Sequence, residues 1–305
     1  MSKLATLART TKFSALGRRP KDRAVLLCIA LLNQLGHRRA RFRRFVSRCL
    51  RTLNGSSNRL NFTVRILGAS YPVVARMDDG ADYQTIWECF GDMYQAPQVP
   101  IRHVFDGGGN LGLFSLAVAA RLALEDIVVV EPDPENFSLL ESNLSGFPKA
   151  IKVRAALAAT EGTAFFNRSS SNTGHLVGRP ASPSNQGECE VTTRRIRSLI
   201  PKAWGMAATW LKLDIEGAEY EVVRDMLTSG LKPVFVSAEV HDYLRAGGEA
   251  LVDELRSAGY AVEVTGYGDE GNVCRQIHAR LEDSHGVDLF RKRSNNGIVD
   301  GSVDR

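Results

Sequence analysis

Between Val104 and Gly112 the chain reads VFDGGGNLG, with four glycines within six positions after an aspartate. Glycine has no side chain, so such a turn lets a ligand approach the backbone closely. Gly107, Gly109 and Gly112 also fit the G-x-G-x-x-G pattern of dinucleotide sites. Two carboxylates narrow the chemistry. Asp106 stands directly before the first glycine, where it would repel a pyrophosphate and suit a ligand carrying an ammonium or sulfonium cation. Glu131 follows about one βα unit later, where an acidic side chain accepts hydrogen bonds from ribose hydroxyls. NAD sites use the same ribose device, so Asp106 is the discriminating residue at this point.

A second group of reactive side chains lies downstream. Asp214 stands in LKLDIEGAE, and Glu239 and His241 in VSAEVH. Each apolar run before them reads as a strand, and ligands of open α/β sheets sit beyond the carboxyl ends of the strands. His241 falls two residues after Glu239, on the same side of a continuing strand. Asp214 or His241 is suited to remove a proton from a weakly acidic hydroxyl. Asp214, Glu239 and His241 together would suit Mg²⁺ or Mn²⁺, an alternative to the expectation that no metal is held. Glu216 and Glu219 lie where a helix begins, a place that favours acidic residues without any chemistry.

These residues need a frame. The predicted strands are 102–106, 126–131, 150–156, 208–214 and 232–240, and the predicted helices 110–123, 134–145, 217–229 and 247–258. Short apolar strands alternating with helices imply a parallel sheet covered on both faces. The first, fourth and fifth strands then lie side by side and bring Asp106, Asp214 and Glu239 to one rim. The rhythm breaks over 157–205, with an irregular Ser/Asn/Gly/Pro-rich insertion at about 168–187. Upstream, NFTVRILG and YPVVARM read as a strand pair, and Asp82 as the cap of a following helix.

Charge divides the chain. Its 305 residues carry a net +5, yet residues 1–60 hold fifteen of the 39 basic residues and only Asp22 as an acid. The body after Leu60 is therefore acidic, which argues against a nucleic-acid partner there. Residues 1–21 read as flexible. Arg41, Arg44, Arg48 and Arg51 recur at helical spacing, with Phe42, Phe45, Val46, Cys49 and Leu53 on another face. The basic stretch 22–53 suits packing on the body or peripheral contact with a membrane. Its apolar run 24–35 is too short to span one. The five cysteines form no C-x-x-C pair, which points to a reducing compartment and a cytoplasmic protein, peripheral at most on the inner membrane surface.

The segments VFDGGGNLGLFSLAVA, VVVEPDPENFSLLESNL, VRAALAATEGTAFF, WLKLDIEGAEYEVV and VSAEVH resemble, in order and spacing, the FkbM family of S-adenosylmethionine-dependent methyltransferases. The resemblance covers about residues 71–280. It implies a class I methyltransferase (Rossmann-like) doubly wound sheet of seven strands, the last antiparallel, in a domain over 59–283. A basic helical extension, 1–58, precedes it and a polar tail, 284–305, follows it. It further implies that Asp106, Gly107, Gly109 and Asn110 surround the methionine part of the cofactor S-adenosyl-L-methionine. Glu131 would hold the ribose, and Pro132, Asp133 and Ala156 would lie by the adenine. The family usually shows Gly-Ala where this chain has Gly108-Gly109. The expected activity is methyl transfer to a hydroxyl of a small-molecule or glycan acceptor, with Asp214, His241 and Glu239 as the catalytic group. A nicotinamide-dependent oxidoreductase and an inactive membrane- or RNA-binding protein are the competing readings.

Overall fold

The computed structural model describes residues 3–35, 40–55, 57–77, 79–91, 96–168, 174–177, 188–241, 247–267 and 274–282. The expected tail 284–305 and most of the expected insertion lie outside them.

The alternating region folds as a seven-stranded sheet. Its strands are β3 (His103–Gly107), β4 (Asp126–Val130), β5 (Ala150–Val153), β10 (Thr209–Leu213), β11 (Phe235–His241), β12 (Tyr260–Tyr267) and β13 (Cys274–Leu281). The order is β12-β13-β11-β10-β3-β4-β5, with β13 antiparallel to both neighbours and the other pairs parallel. This is a doubly wound sheet of seven strands with the last antiparallel, as the resemblance implies, and β3, β10 and β11 are adjacent as predicted. Successive strand residues point to opposite faces. Val104, Val129 and Trp210 join one apolar cluster with helices α5 (Leu113–Ala119) and α6 (Pro134–Asn143). Phe105, Val128, Val130 and Leu211 join the other, with α7 (Ile196–Leu199), α8 (Glu219–Thr228) and α9 (Gly248–Ser257). Burial on both faces is why these strands read as unbroken apolar runs.

Two local expectations change. The third strand stops at Val153, and Ala156–Leu157, β6, leaves the sheet to pair with β9 (Glu188–Arg194). β9 also pairs with β7 (Gly162–Arg168), which pairs with β8 (Gly174–Val177), so the described part of the insertion is strand rather than irregular. The predicted cap Asp82 does not cap. Asp79 caps α4 (Gly80–Phe90), while Asp82 is fully buried in its first turn and pairs with Arg76 at 2.7 Å.

The N-terminal segment is largely helical over its described residues rather than irregular. It forms α1 (Lys3–Ala15), α2 (Pro20–Leu35) and α3 (Ala40–Asn54), ahead of the hairpin β1 (Arg59–Ile66) and β2 (Ala69–Arg76). Phe13, Leu26, Ile29 and Leu50 are buried in the same cluster as Val104 and Phe90. The Phe13 ring meets Trp87 edge-on at 4.7 Å, and Arg9 donates to the Gly91 carbonyl. Arg18 N donates to Thr63 O and Arg65 N to Leu16 O, which ties the α1–α2 link to the edge of β1. On α3 the face turned inward carries Val46 and Leu50, whereas Phe45 remains 65% exposed. Among the described residues, no helix is long and apolar enough to cross a membrane.

Candidate active site

The glycine turn fills the gap between β3 and α5. Gly108, Asn110 and Gly112 have positive φ of 75°, 47° and 75°. Such values suit glycine and are tolerated by asparagine. A Cβ on Gly108 would lie 1.7 Å from the Asp214 carbonyl oxygen, so this glycine lets two strand ends close on each other. Asp214 N donates to Gly107 O on the same side. Gly109 is packed differently: its Cβ would meet the side chains of Val129 and Leu140.

A cleft opens beyond the carboxyl ends of β3, β4 and β10. Gly108 and Asn110 form one side, Glu131 and Pro132 the floor, and Asp214, Ile215 and Glu216 the opposite side. Ala155, Ala156, Leu157, Phe166 and Leu176 make an apolar wall. The β7–β8 hairpin supplies Phe166 and Leu176, and Gly174 leaves room for the Phe166 ring. Of the residues singled out in the sequence, Asn110, Glu131, Pro132, Ala156 and Asp214 line this cleft, whereas the turn contributes Gly108 to it rather than the expected Gly107 and Gly109, which are packed beneath against Leu157, Leu213, Val129 and Leu140. The sequence reading missed Phe166 and Leu176, since nothing local in a Ser/Asn-rich stretch signals a hairpin folding back.

Glu131 uses both carboxylate oxygens on the frame. Oε2 accepts from Asn110 N at 2.8 Å and Oε1 from Asp133 N at 2.9 Å. Burial raises its pKa to about 7, against the opposing effect of those amides. The Asn136 side chain donates to Glu131 as well, and of the four acceptor positions of a carboxylate one is then left for a ligand hydroxyl. Asp133 itself caps α6, accepting from Glu135 N and Asn136 N, and does not line the cleft.

Asp106 corrects the sequence reading. It is fully buried beneath the turn, accepts from Ser115 Oγ at 2.6 Å, and lies 3.1 Å from Lys212 Nζ. The cation it faces is this lysine, so Asp106 does not by itself select a cationic ligand. Lys212 also donates to Gly108 O at 2.8 Å and lies 3.9 Å from Asp214. Burial alone would lower the Lys212 ammonium, but Asp106 and Asp214 hold it above the usual lysine range. The sequence did carry a signal for it. A lysine between Leu211 and Leu213 in a central strand must find a buried partner.

The D-I-E-G-A-E segment divides its labour. Glu219, 1% exposed, accepts from the backbone N–H groups of Ile215 and Gly217 and so pins the loop. Glu216 has φ of 57°, a value uncommon outside glycine and asparagine, and its side chain reaches the end of β11. Its Oε2 lies 3.4 Å from His241 Nδ1, and His241 Nε2 lies 3.7 Å from Glu239 Oε1. Burial, then Glu219 and Glu239, raises the Glu216 pKa to about 8. Burial lowers that of His241 against the pull of Glu239, which favours a neutral imidazole. Burial and Glu239 push Asp214 up, with Lys212 opposing. Asp214, Glu239 and His241 thus lie in one neighbourhood, joined by a residue, Glu216, that the sequence reading left aside.

Residues 106–262 match the family model described as the methyltransferase FkbM domain. The chain belongs to the FkbM methyltransferase family. No curated protein matches it. Among solved structures it is similar to an FkbM methyltransferase from Methylobacillus flagellatus KT, at 13% identity and a TM-score of 0.42. That alignment covers 90% of this chain and 59% of the other, so the chain spans about three fifths of that protein. It is also similar to TYW2 from M. jannaschii in complex with AdoMet, at 11% identity over 74% of this chain and 87% of that one, with a TM-score of 0.38. The family match covers the glycine turn, Glu131 and the Asp214–Glu219 segment together.

Proposed function

We propose that the protein is an S-adenosylmethionine-dependent O-methyltransferase acting on a hydroxyl of a polar acceptor, a sugar of a glycan, glycolipid or secondary metabolite. The observation that carries this reading is the cleft itself. It joins a buried carboxylate, an apolar slot and an acidic opposite wall along one rim of a methyltransferase-family sheet. These residues fit the cofactor. Glu131 would accept from a ribose hydroxyl, and Ala156, Phe166 and Leu176 would flank the adenine. The backbone of the glycine turn would border the methionine part. When bound, the cofactor supplies an electrophilic methyl group. The chain would align the acceptor beside it, keep water from the apolar side, and take the hydroxyl proton on Asp214, with His241 close behind.

Calorimetry with S-adenosylhomocysteine and with NAD(H) tests the reading: the first should bind and the second far more weakly. Tight NAD(H) binding with no response to S-adenosylhomocysteine would favour the oxidoreductase instead. Asp214→Asn keeps shape and removes basicity. It should lower turnover by about 10²–10⁴-fold, the range for loss of a general base, and leave S-adenosylhomocysteine affinity within a few-fold. Near-normal turnover would remove Asp214 from the reaction and leave His241.

A cytoplasmic location with peripheral contact at an anionic membrane belongs to the same proposal. It is supported by Phe45, 65% exposed on α3 beside the exposed Arg44 and Arg48. Liposome flotation that is unchanged by Phe45→Asp would reject it.

A further inference from the structure

We propose that Asp214, Glu216 and His241 form a divalent cation site at the edge of the cleft, suited to Mn²⁺ or Mg²⁺. One donor atom from each lies within 4.8 Å of the others. The three come from two neighbouring strand ends, Asp214 and Glu216 after β10 and His241 at the end of β11. Glu216 is the telling residue. Its side chain is nine-tenths buried, yet its Oε2 has no hydrogen-bond partner. A buried carboxylate oxygen left without a donor is costly unless something positive meets it. The nearby ammonium, Lys212, is engaged with Asp106 and the Gly108 carbonyl. Among the described residues no lysine or arginine forms an ion pair with Glu216, so a bound cation would supply the positive charge that this carboxyl lacks.

His241 has the geometry of a supported ligand. Its Nδ1 faces Glu216, and its Nε2 faces Glu239 on the far side at 3.7 Å. A carboxylate behind Nε2 favours the tautomer with its proton there, which turns the Nδ1 lone pair towards Glu216 and the proposed cation. Glu239 is itself held by Cys274 Sγ and Gln276 Nε2 at 3.4 and 3.5 Å. Two carboxylates with one imidazole suit Mn²⁺ or Mg²⁺ better than a thiolate-seeking ion. Asp214 and Glu216 both line the cleft, so a cation between them would face the acceptor end of the site. There it would lower the proton affinity of an acceptor hydroxyl. One oxygen of Asp214 would remain to take the proton. The site does not depend on the methyltransferase reading; only this role in the reaction does.

The test is calorimetric titration of the EDTA-treated full chain with MnCl₂. One Mn²⁺ should bind per chain, and Mg²⁺ should compete. Glu216→Gln should weaken Mn²⁺ by at least about tenfold, and Glu239→Gln by about 10–100-fold through His241 alone, the usual effect of an outer-sphere partner. S-adenosylhomocysteine titrated into the same variants in EDTA reports folding independently. No saturable Mn²⁺ heat in the unsubstituted chain overturns the site. So does unchanged Mn²⁺ affinity in both variants, and binding of Zn²⁺ alone overturns the choice of ion. Mn²⁺ binding without any S-adenosylhomocysteine binding upholds the site and rejects the proposed function.

Discussion

At the scale of single residues, the site rests on buried charges whose partners lie far away in sequence. Lys212 is 4% exposed and its partner Asp106 is fully buried, more than a hundred residues earlier in the chain. Removing one member of such a pair strands the other charge. Lys212→Met should therefore cost about 3–5 kcal/mol in urea denaturation. Adding Asp106→Asn, which keeps an acceptor for Ser115 and removes the charge, should recover part of that loss. Glu131 makes a pH prediction. Its pKa stands at about 7 in the folded chain, raised chiefly by burial. The folded state then holds its proton more tightly than the unfolded state. Stability is fullest below the ordinary glutamate range and falls as pH rises towards 7. The ligand-free protein should lose up to about 3 kcal/mol between pH 4.5 and 7.5 from this group. In Glu131→Gln, thermal melts over that range should show a smaller fall. Equal falls in both would place the titration elsewhere.

At the scale of elements, the glycine turn shows how unequal adjacent glycines are. Gly108 needs its positive φ and faces the backbone of Asp214, which cannot yield without moving the end of β10. Gly109 has no such φ, and its would-be Cβ meets the ends of Val129 and Leu140. Gly108→Ala should abolish S-adenosylhomocysteine binding or folding. Gly109→Ala should cost only about 1–3 kcal/mol, the scale of an overpacked core, and retain binding. Calorimetry and denaturation on the two variants separate these outcomes. The turn was legible in the sequence because glycine spacing is local. The difference between its glycines was not, because it depends on which atoms β10, β4 and α6 bring opposite each one. The D-I-E-G-A-E segment behaves likewise. Its motif marked the site, but Glu219 proved to be the pin of the loop and Glu216 its inward-facing acid, roles set by two loop amides and one positive φ.

At the scale of the whole molecule, the three N-terminal helices belong to the core despite their charge. Phe13 is 2% exposed between α2 and α4, so Phe13→Ala should cost about 3–5 kcal/mol by chemical denaturation. Deletion of residues 1–54 should give an unstable or aggregating chain, because it uncovers Leu60, Val64, Ile86 and Phe90. A stable, ligand-binding truncation would show instead that the helices are an appendage. The basic residues misled here. Their count describes the solvent side of α1–α3 and says nothing of the buried side, whose apolar residues are few and spaced across three helices. The doubly wound sheet, the adjacency of β3, β10 and β11 and the placing of Asp214 and Glu239 at strand ends were determined by the sequence itself. Apolar runs buried on both faces and glycine turns between strand and helix are local patterns that leave few topologies open. Only the tertiary structure decided that Asp106 answers to Lys212, that a hairpin from the insertion walls the cleft, and that Glu216 meets His241. Each of those depends on side chains distant in sequence meeting in a low-dielectric interior, where a charge's partner, and not its place in a motif, sets what it can do.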